Sequence, residues 1–221
     1  MKVKDLKNEY DELQKYYGAE ELDSIYNGGC EDNPDICFIF MNPTGRNIAS
    51  SKDWKGRKSP WIGTKNIWKL FYLSGLLKED TFNKIQSMKP KDWNYEFSDY
   101  VYDEIKENKI FITNLGKCTQ LDARPLSNEV LKKYLNLLLK ELDIVKPKII
   151  ITFGNQVSSI ILNKKISVSS NRKECHYLKI NNNKYKVYPV YYPVGNGIFN
   201  MDKAIEDIKW IIENELENIR K

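Results

Sequence analysis

Histidine is almost missing from this chain. His176 is the only one, and it sits in KECHYLKI, a stretch with no companion motif. A catalytic triad or a multi-histidine metal site would have to be built around that one residue, so neither is expected. Cysteine is scarce too. Cys30, Cys37, Cys118 and Cys175 include no C-x-x-C pair, which excludes a zinc ribbon and a thioredoxin-type motif. No apolar run reaches ~18 residues, so no membrane-spanning helix and no membrane partner are expected. The opening MKVKDLKNEY has no apolar h-region, so no secretory signal is expected and the expected compartment is the cytoplasm, with free thiols. No glycine-rich loop has the spacing of the standard phosphate-binding motifs, which weighs against an unrelated nucleotide-binding enzyme. Neither a repeat nor a linker divides the chain.

What remains is a chain of 221 residues, 41% of them hydrophobic, enough to bury a proper core in one domain. The net charge of +5 permits an anionic partner without demanding one. Lysine is spread along the whole chain, so local clustering matters more than the total.

Four strands are predicted: Ile36 to Met41, Lys109 to Asn114, Lys148 to Phe153 and Val187 to Pro193. The first three are short, apolar and bounded by turn signals, the pattern of strands buried on both faces. Helices are expected over residues 1–26, within KNIWKLFYLSGLL, from Ser127 (as N-cap) to Ile144, from about Gln156, and from Met201 to Asn218 with Asn200 as cap. Ile205, Ile208, Ile212 and Leu216 form the buried stripe of the last one. Residues 78–100 read as irregular and aromatic. The expected fold is one α/β domain over residues 1–221, with 1–29 as an N-terminal helical extension. It is a three-layer sandwich around a central, mostly parallel four-stranded sheet.

If those strands are parallel, four polar turns share one edge of the sheet. Asn42 follows the first strand, Asn114 ends the second, Gly154-Asn155 follows the third, and Pro193-Val194-Gly195-Asn196 follows the fourth. Open α/β sheets bind ligands at the carboxyl ends of their strands. Between Arg46 and Lys69 lie Arg46, Lys52, Lys55, Arg57, Lys58, Lys65 and Lys69 against Asp53 alone, with Trp54, Trp61 and Trp68 interleaved. Cations for phosphates and rings for bases are what nucleic-acid binding needs. A solvated loop whose tryptophans pack on the core is the alternative, and the helical spacing of Trp68 to Phe71 and Tyr72 favours the core for that ring.

An ordered set of motifs resembles the uracil-DNA glycosylase superfamily. FMNPTG resembles the Asn-Pro-Gly motif of its mismatch-specific and single-strand-selective branches, with Thr44 where Gly is common. SPWIGTKNIWKLF resembles its Pro-aromatic-x-Gly segment. IFITNLGKC resembles the Thr-Asn-x-x-Lys-Cys strand end of the iron–sulfur branch, and KPKIIITFGNQVSSIIL the Leu-Gly junction. YYPVGNG stands where the His-Pro-Ser motif belongs.

The resemblance implies base flipping and cleavage of the N-glycosidic bond of uracil or another altered pyrimidine, in base-excision repair of single- or double-stranded DNA. It implies that Asn42 orients the attacking water, that Trp61 stacks on the base and that Asn114 reads its edge. Tyr192 takes the position of the family's catalytic His. Arg46, Lys52, Lys55, Arg57, Lys58 and Lys65 are the implied DNA contacts. Asn196 lies on the altered wedge loop, with Ile198 or Phe199 as the wedge. A nucleic-acid-binding member that has lost catalysis is the alternative that Tyr192 favours. The iron–sulfur branch needs four spaced cysteines, and only Cys118 matches. No cofactor and no metal are expected, and the protein is expected to be a monomer. Elemental analysis of the purified protein should find neither iron nor zinc in stoichiometric amount; a brown protein absorbing in the visible would contradict this.

Overall fold

The computed structural model describes residues 1–216. Six strands form one sheet: β1 (Asn27–Gly29), β2 (Ile36–Phe40), β3 (Ile110–Asn114), β4 (Ile149–Phe153), β5 (His176–Ile180) and β6 (Asn183–Val190). Their spatial order is β1-β3-β2-β4-β6-β5. β3, β2, β4 and β6 run parallel and make the expected four-stranded centre, while β1 and β5 add an antiparallel strand at each edge. The helices are α1 (Lys7–Tyr17), α2 (Asn66–Leu73), α3 (Glu79–Ser87), α4 (Tyr95–Glu107), α5 (Asn128–Val145), α6 (Asn155–Ile161) and α7 (Met201–Ile211).

Side chains alternate across the central strands, so each strand feeds two cores. Phe38, Phe40, Ile112, Ile151 and Phe153 face one way, onto Ile67, Trp68 and Phe71 of α2, Val101 and Ile105 of α4, and Ile205 and Ile208 of α7. Cys37, Ile39, Phe111 and Ile150 face the other way, onto Leu131, Leu138 and Leu142 of α5 and Val157 and Ile160 of α6. The result is the three-layer sandwich.

Several boundaries differ from expectation. Residues 78–100 are not irregular: they hold α3 and the start of α4, whose Phe97, Val101 and Ile105 fall at helical spacing and are buried. The N-terminal helix stops at Tyr17, and the chain then crosses the molecule extended, with Ala19 N–H donating to Thr119 O at 2.9 Å and Ile25 N–H to Lys117 O at 3.1 Å. Gly28 and Gly29 do not end a helix. They form β1, where the ring of Tyr102 lies so close that a Cβ on Gly28 would come within 2.0 Å of it. β6 begins at Asn183 and ends at Val190. α5 starts as expected, with the Ser127 hydroxyl accepting from Val130 N–H. α7 passes into a wider π-type turn over Ile212–Leu216, and the expected end at Asn218 lies outside the described residues.

Phe40, the last residue of β2, joins core to edge. Its ring stacks on Phe153 of β4 at 4.3 Å and 11°, and meets Trp61 edge-on at 4.9 Å. Phe40→Ala should cost about 3–5 kcal/mol, read as a lower urea midpoint. A loss below about 1 kcal/mol would show that the aromatic stack bears little of the load.

Candidate functional site

The chain leaves β2 toward β3 on one side and leaves β4 toward β6 on the other. The loops therefore part at the carboxyl ends of β2 and β4, the place where open α/β sheets bind ligands. A cleft of about 720 Å³ opens there. Its walls are the turn after β2 (residues 41–48), the segment 60–67, Asn114 with the loop 123–125, and the turn 192–197.

Asn42 is buried at 9% exposure, and its Nδ2 donates to the Pro43 carbonyl at 3.0 Å. That bond orients the amide and leaves Oδ1 as its free acceptor. Asn114 closes β3, 2% exposed, with its Nδ2 buried and without a partner. Trp61 adopts φ 67°, a left-handed conformation that costs a tryptophan about 1–3 kcal/mol. Its carbonyl holds it there, accepting from Thr64 N–H at 3.1 Å, Thr64 Oγ1 at 2.7 Å and Trp68 Nε1 at 3.2 Å. Tyr192 faces Phe40 edge-on at 6.4 Å, and burial pushes its phenol up to about 12. Gly197 packs so tightly on this turn that a Cβ would come within 2.0 Å of the Tyr192 carbonyl oxygen.

Among the described residues, the cleft lining includes no Asp, Glu, His or Cys. Its charges are Arg46, Lys65 and Arg124, and its remaining polarity is largely asparagine: Asn42, Asn47, Asn66, Asn114 and Asn196. Such a site orients water and reads amide-like edges while attracting anions. It holds no carboxylate or imidazole to act as a general base.

The sequence-predicted residues divide. Asn42, Trp61, Asn114, Tyr192, Arg46, Lys65 and Asn196 meet in the cleft. Ile198 and Phe199 follow its Gly197 wall, and Phe199 is 92% exposed. Lys52 and Lys55 are exposed and lie outside the cleft lining. Arg57 and Lys58 also lie outside the cleft lining and are engaged within the chain. Arg57 pairs with Asp99 at 2.7 Å and covers the ring of Tyr102, and Lys58 reaches Asp23 at 2.9 Å and the Ser51 carbonyl at 2.8 Å. They fold the basic segment down instead of presenting it to the cleft. Asn47 helps from inside, its Nδ2 donating to Ser59 O at 2.8 Å. Trp68 is core, as its spacing indicated. His176 lies on the edge strand β5, away from the cleft, with burial lowering its pKa.

Sequence reasoning missed Arg124, because its loop carries no recognisable motif, and it missed Lys117 with Glu141. Both of those side chains are fully buried and joined at 2.9 Å. The IFITNLGKC motif contained Lys117, but a lysine is ordinarily read as exposed.

The cysteines are spread through the fold. Cys118 packs among Leu6, Tyr10, Tyr134 and Leu137, and burial raises its pKa. Cys37 faces the α5 core, and its pKa is pushed well above the ordinary thiol value by burial. Among the described residues no three His, Cys, Asp or Glu side chains are grouped to hold a metal ion.

A doubly wound sheet with an amide-lined cleft at its switch point places the molecule among the α/β proteins that work at their strand ends. The family model of the uracil DNA glycosylase superfamily matches residues 27–206, and the chain belongs to that superfamily. It is also similar to a type-4 uracil-DNA glycosylase of Sulfurisphaera tokodaii, 25% identical over 121 residues, which are 53% of this chain and 52% of the relative. The match thus spans about half the length of that relative.

The Tyr192 environment can be checked by itself. In a difference titration of wild type against Tyr192→Phe, followed by ultraviolet absorbance, the missing phenol should still be un-ionised at pH 10 and ionise only near 12. An ionisation near 10 would place the side chain in water.

Proposed function

We propose that the protein flips uracil or another altered pyrimidine out of DNA and hydrolyses its N-glycosidic bond in this cleft. The observation that carries the reading is the convergence of Asn42, Asn114, Trp61 and Tyr192 on one cleft whose lining charges, among the described residues, are all cationic. Family membership supports it.

In this reading the base stacks on Trp61. Asn114 accepts from N3–H and donates to O4, a pairing that uracil offers and cytosine does not. The O4 would supply the acceptor that the buried Asn114 Nδ2 lacks. Tyr192 donates a hydrogen bond from its phenol to O2 as negative charge develops on the departing base, and keeps its proton. Asn42 Oδ1 holds the water. An amide is too weak a base to deprotonate it, so the C1′–N1 bond breaks first, the base leaves as an anion, and the water adds to an oxocarbenium-like sugar, its surplus proton passing to the departed base or to solvent. Arg46 and Lys65 face the phosphates, Arg124 being paired with Asp122 at 2.9 Å, and Phe199, exposed just beyond the Gly197 wall, fills the gap in the duplex.

Tyr192 also favours a second reading, a nucleic-acid-binding member without excision. A neutral phenol stabilises a developing anion less than the family's usual His. Abasic-site formation on single- and double-stranded uracil oligonucleotides at high protein concentration, revealed by alkaline cleavage, separates the two.

If excision occurs, Asn42→Ala should lower the rate about 10²–10³-fold with the fold intact. Asn114→Asp should weaken uracil and admit cytosine, whose amino group a carboxylate accepts. Tyr192→Phe should cost less than Asn42→Ala, and Tyr192→His should raise activity. If wild type and Tyr192→His are both silent on uracil and on a panel of modified pyrimidines, yet bind DNA, the binding reading replaces the catalytic one.

Binding itself should weaken with salt. Neutralising Arg46 and Lys65 should each reduce the slope of log K against log salt by about 1. Lys58→Met should lower stability and leave that slope unchanged, because its charge is already paired; a reduced slope would return Lys58 to the DNA contacts.

A further inference from the structure

We infer that the buried Lys117–Glu141 ion pair positions both amides of the cleft, through the backbone turn that carries them. Its consequence for base excision rests on the function proposed above, while its structural half stands on geometry alone.

Lys117 has no contact with water, and its three ammonium protons find three oxygens. One bond goes to the backbone carbonyl of Asn114 at 2.8 Å, one to Glu141 Oε2 at 2.9 Å, and a short one to Thr113 Oγ1. Glu141, on α5, is satisfied in turn. Its Oε2 accepts from the Thr113 hydroxyl at 2.9 Å, and its Oε1 accepts from Asn27 Nδ2 of β1 at 3.0 Å. The Tyr10 ring closes the site, 5.2 Å from the ammonium. The cluster therefore clamps the last two residues of β3 to the helix behind the sheet.

The turn beyond β3 is laced to the turn beyond β2. Leu115 N–H donates to Phe40 O at 2.8 Å and Gly116 N–H to Met41 O at 2.8 Å. Gln120 N–H donates to Pro43 O at 3.1 Å, and Gly45 N–H to Gln120 O at 2.8 Å. Lys117 lies in the middle of that lacing. Gly116 lies so close that a Cβ there would be 3.5 Å from the Asn42 Cβ. Moving the 114–120 turn therefore moves Asn42 as well as Asn114.

Two apolar side chains of equal volume would fill this space, because a buried ion pair seldom adds net stability. They would not hold the Asn114 carbonyl. A lysine that directs its charge at the backbone oxygen of a cleft residue, Asn114, is placed to hold geometry. Lys117 and Glu141 are thus positioning residues; neither lines the cleft.

The test uses the full chain with Lys117→Met/Glu141→Gln. This variant removes both charges and keeps one oxygen at position 141 to accept from Asn27, while its NH2 can donate to the Thr113 hydroxyl. Thr113→Val, which removes the hydroxyl's two links, to Lys117 and to Glu141, and keeps the charges, is the second variant. Leu142→Ala, a core cavity on the same helix, controls for general destabilisation. Amide hydrogen exchange should show Leu115, Gly116, Gln120 and Gly45 losing about tenfold or more of their protection in the double variant, with β4 amides unchanged. Thr113→Val should fall between it and wild type. Leu142→Ala should lower protection without singling out these four. On uracil and cytosine oligonucleotides, single-turnover excision by the double variant should fall about 10–100-fold with little change in half-saturation, and the uracil-to-cytosine ratio should fall. Leu142→Ala should keep that ratio.

Unchanged protection of the four amides in both variants overturns the inference. Lost protection with an unchanged rate and base ratio overturns its link to chemistry. Lost protection in a protein whose wild type is silent on every oligonucleotide supports the positioning and overturns excision.

Discussion

The ammonium of Lys117 has no water to fall back on, and that constraint organises the loaded edge of this sheet. A buried charge of this kind is tolerated only when oxygens surround it. Here they come from the last two residues of β3 and from α5 on the layer behind the sheet. Burial lowers the lysine pKa, and the Glu141 carboxylate opposes that shift. Meeting the electrostatic need of one side chain thus fixes the path of the backbone where β3 ends. Four backbone hydrogen bonds pass that path on to the turn after β2. Phe40 continues it into the core by stacking on Phe153, and supports Trp61 and Tyr192 from below.

The chemistry available at this edge follows from what the cleft wall is made of. Amides accept and donate at fixed geometry and carry no charge to exchange with water. They suit recognition of a base edge and the placing of a water molecule, and they do not suit proton abstraction. Cations on the walls favour a polyanionic ligand. A leaving group that departs with its electrons, followed by capture of a cationic sugar, asks nothing more of Asn42 than a held water. Tyr192 is where this account differs most from the family pattern, because a phenol stands where the family's His belongs and burial raises its pKa further.

Most of the frame was legible in the sequence. Ile36–Phe40, Ile110–Asn114 and Ile149–Phe153 announce themselves because strands buried on both faces need unbroken apolar runs, and Ser127 caps α5 as its side chain allows. The polar turns at their ends place Asn42 and Asn114 correctly once the strands are parallel. The edges were harder to read. β1 is Asn-Gly-Gly, chosen for how closely Tyr102 approaches and not for any strand propensity, and β5 is polar and half-covered. α3 and α4 were hidden by aromatic and charged residues, although Phe97, Val101 and Ile105 carried the helical spacing. The partners of the basic stretch were not legible, because sequence shows charges without them: Asp99 and Asp23 pair with Arg57 and Lys58 from far along the chain. Lys117 and Glu141 are 24 residues apart, and their burial is visible only in three dimensions.

The central claim is that base excision proceeds in a cleft without a general base, and the pH dependence of the chemical step tests it most directly. Single-turnover abasic-site formation should be measured on a saturating uracil oligonucleotide across about pH 6 to 9, the range in which a catalytic His or raised carboxylate would titrate. The account predicts a flat profile, since the cleft lining holds no such group among the described residues and the Tyr192 phenol stays protonated throughout. A rate that rises through an apparent pKa in that range would reveal a base and contradict it.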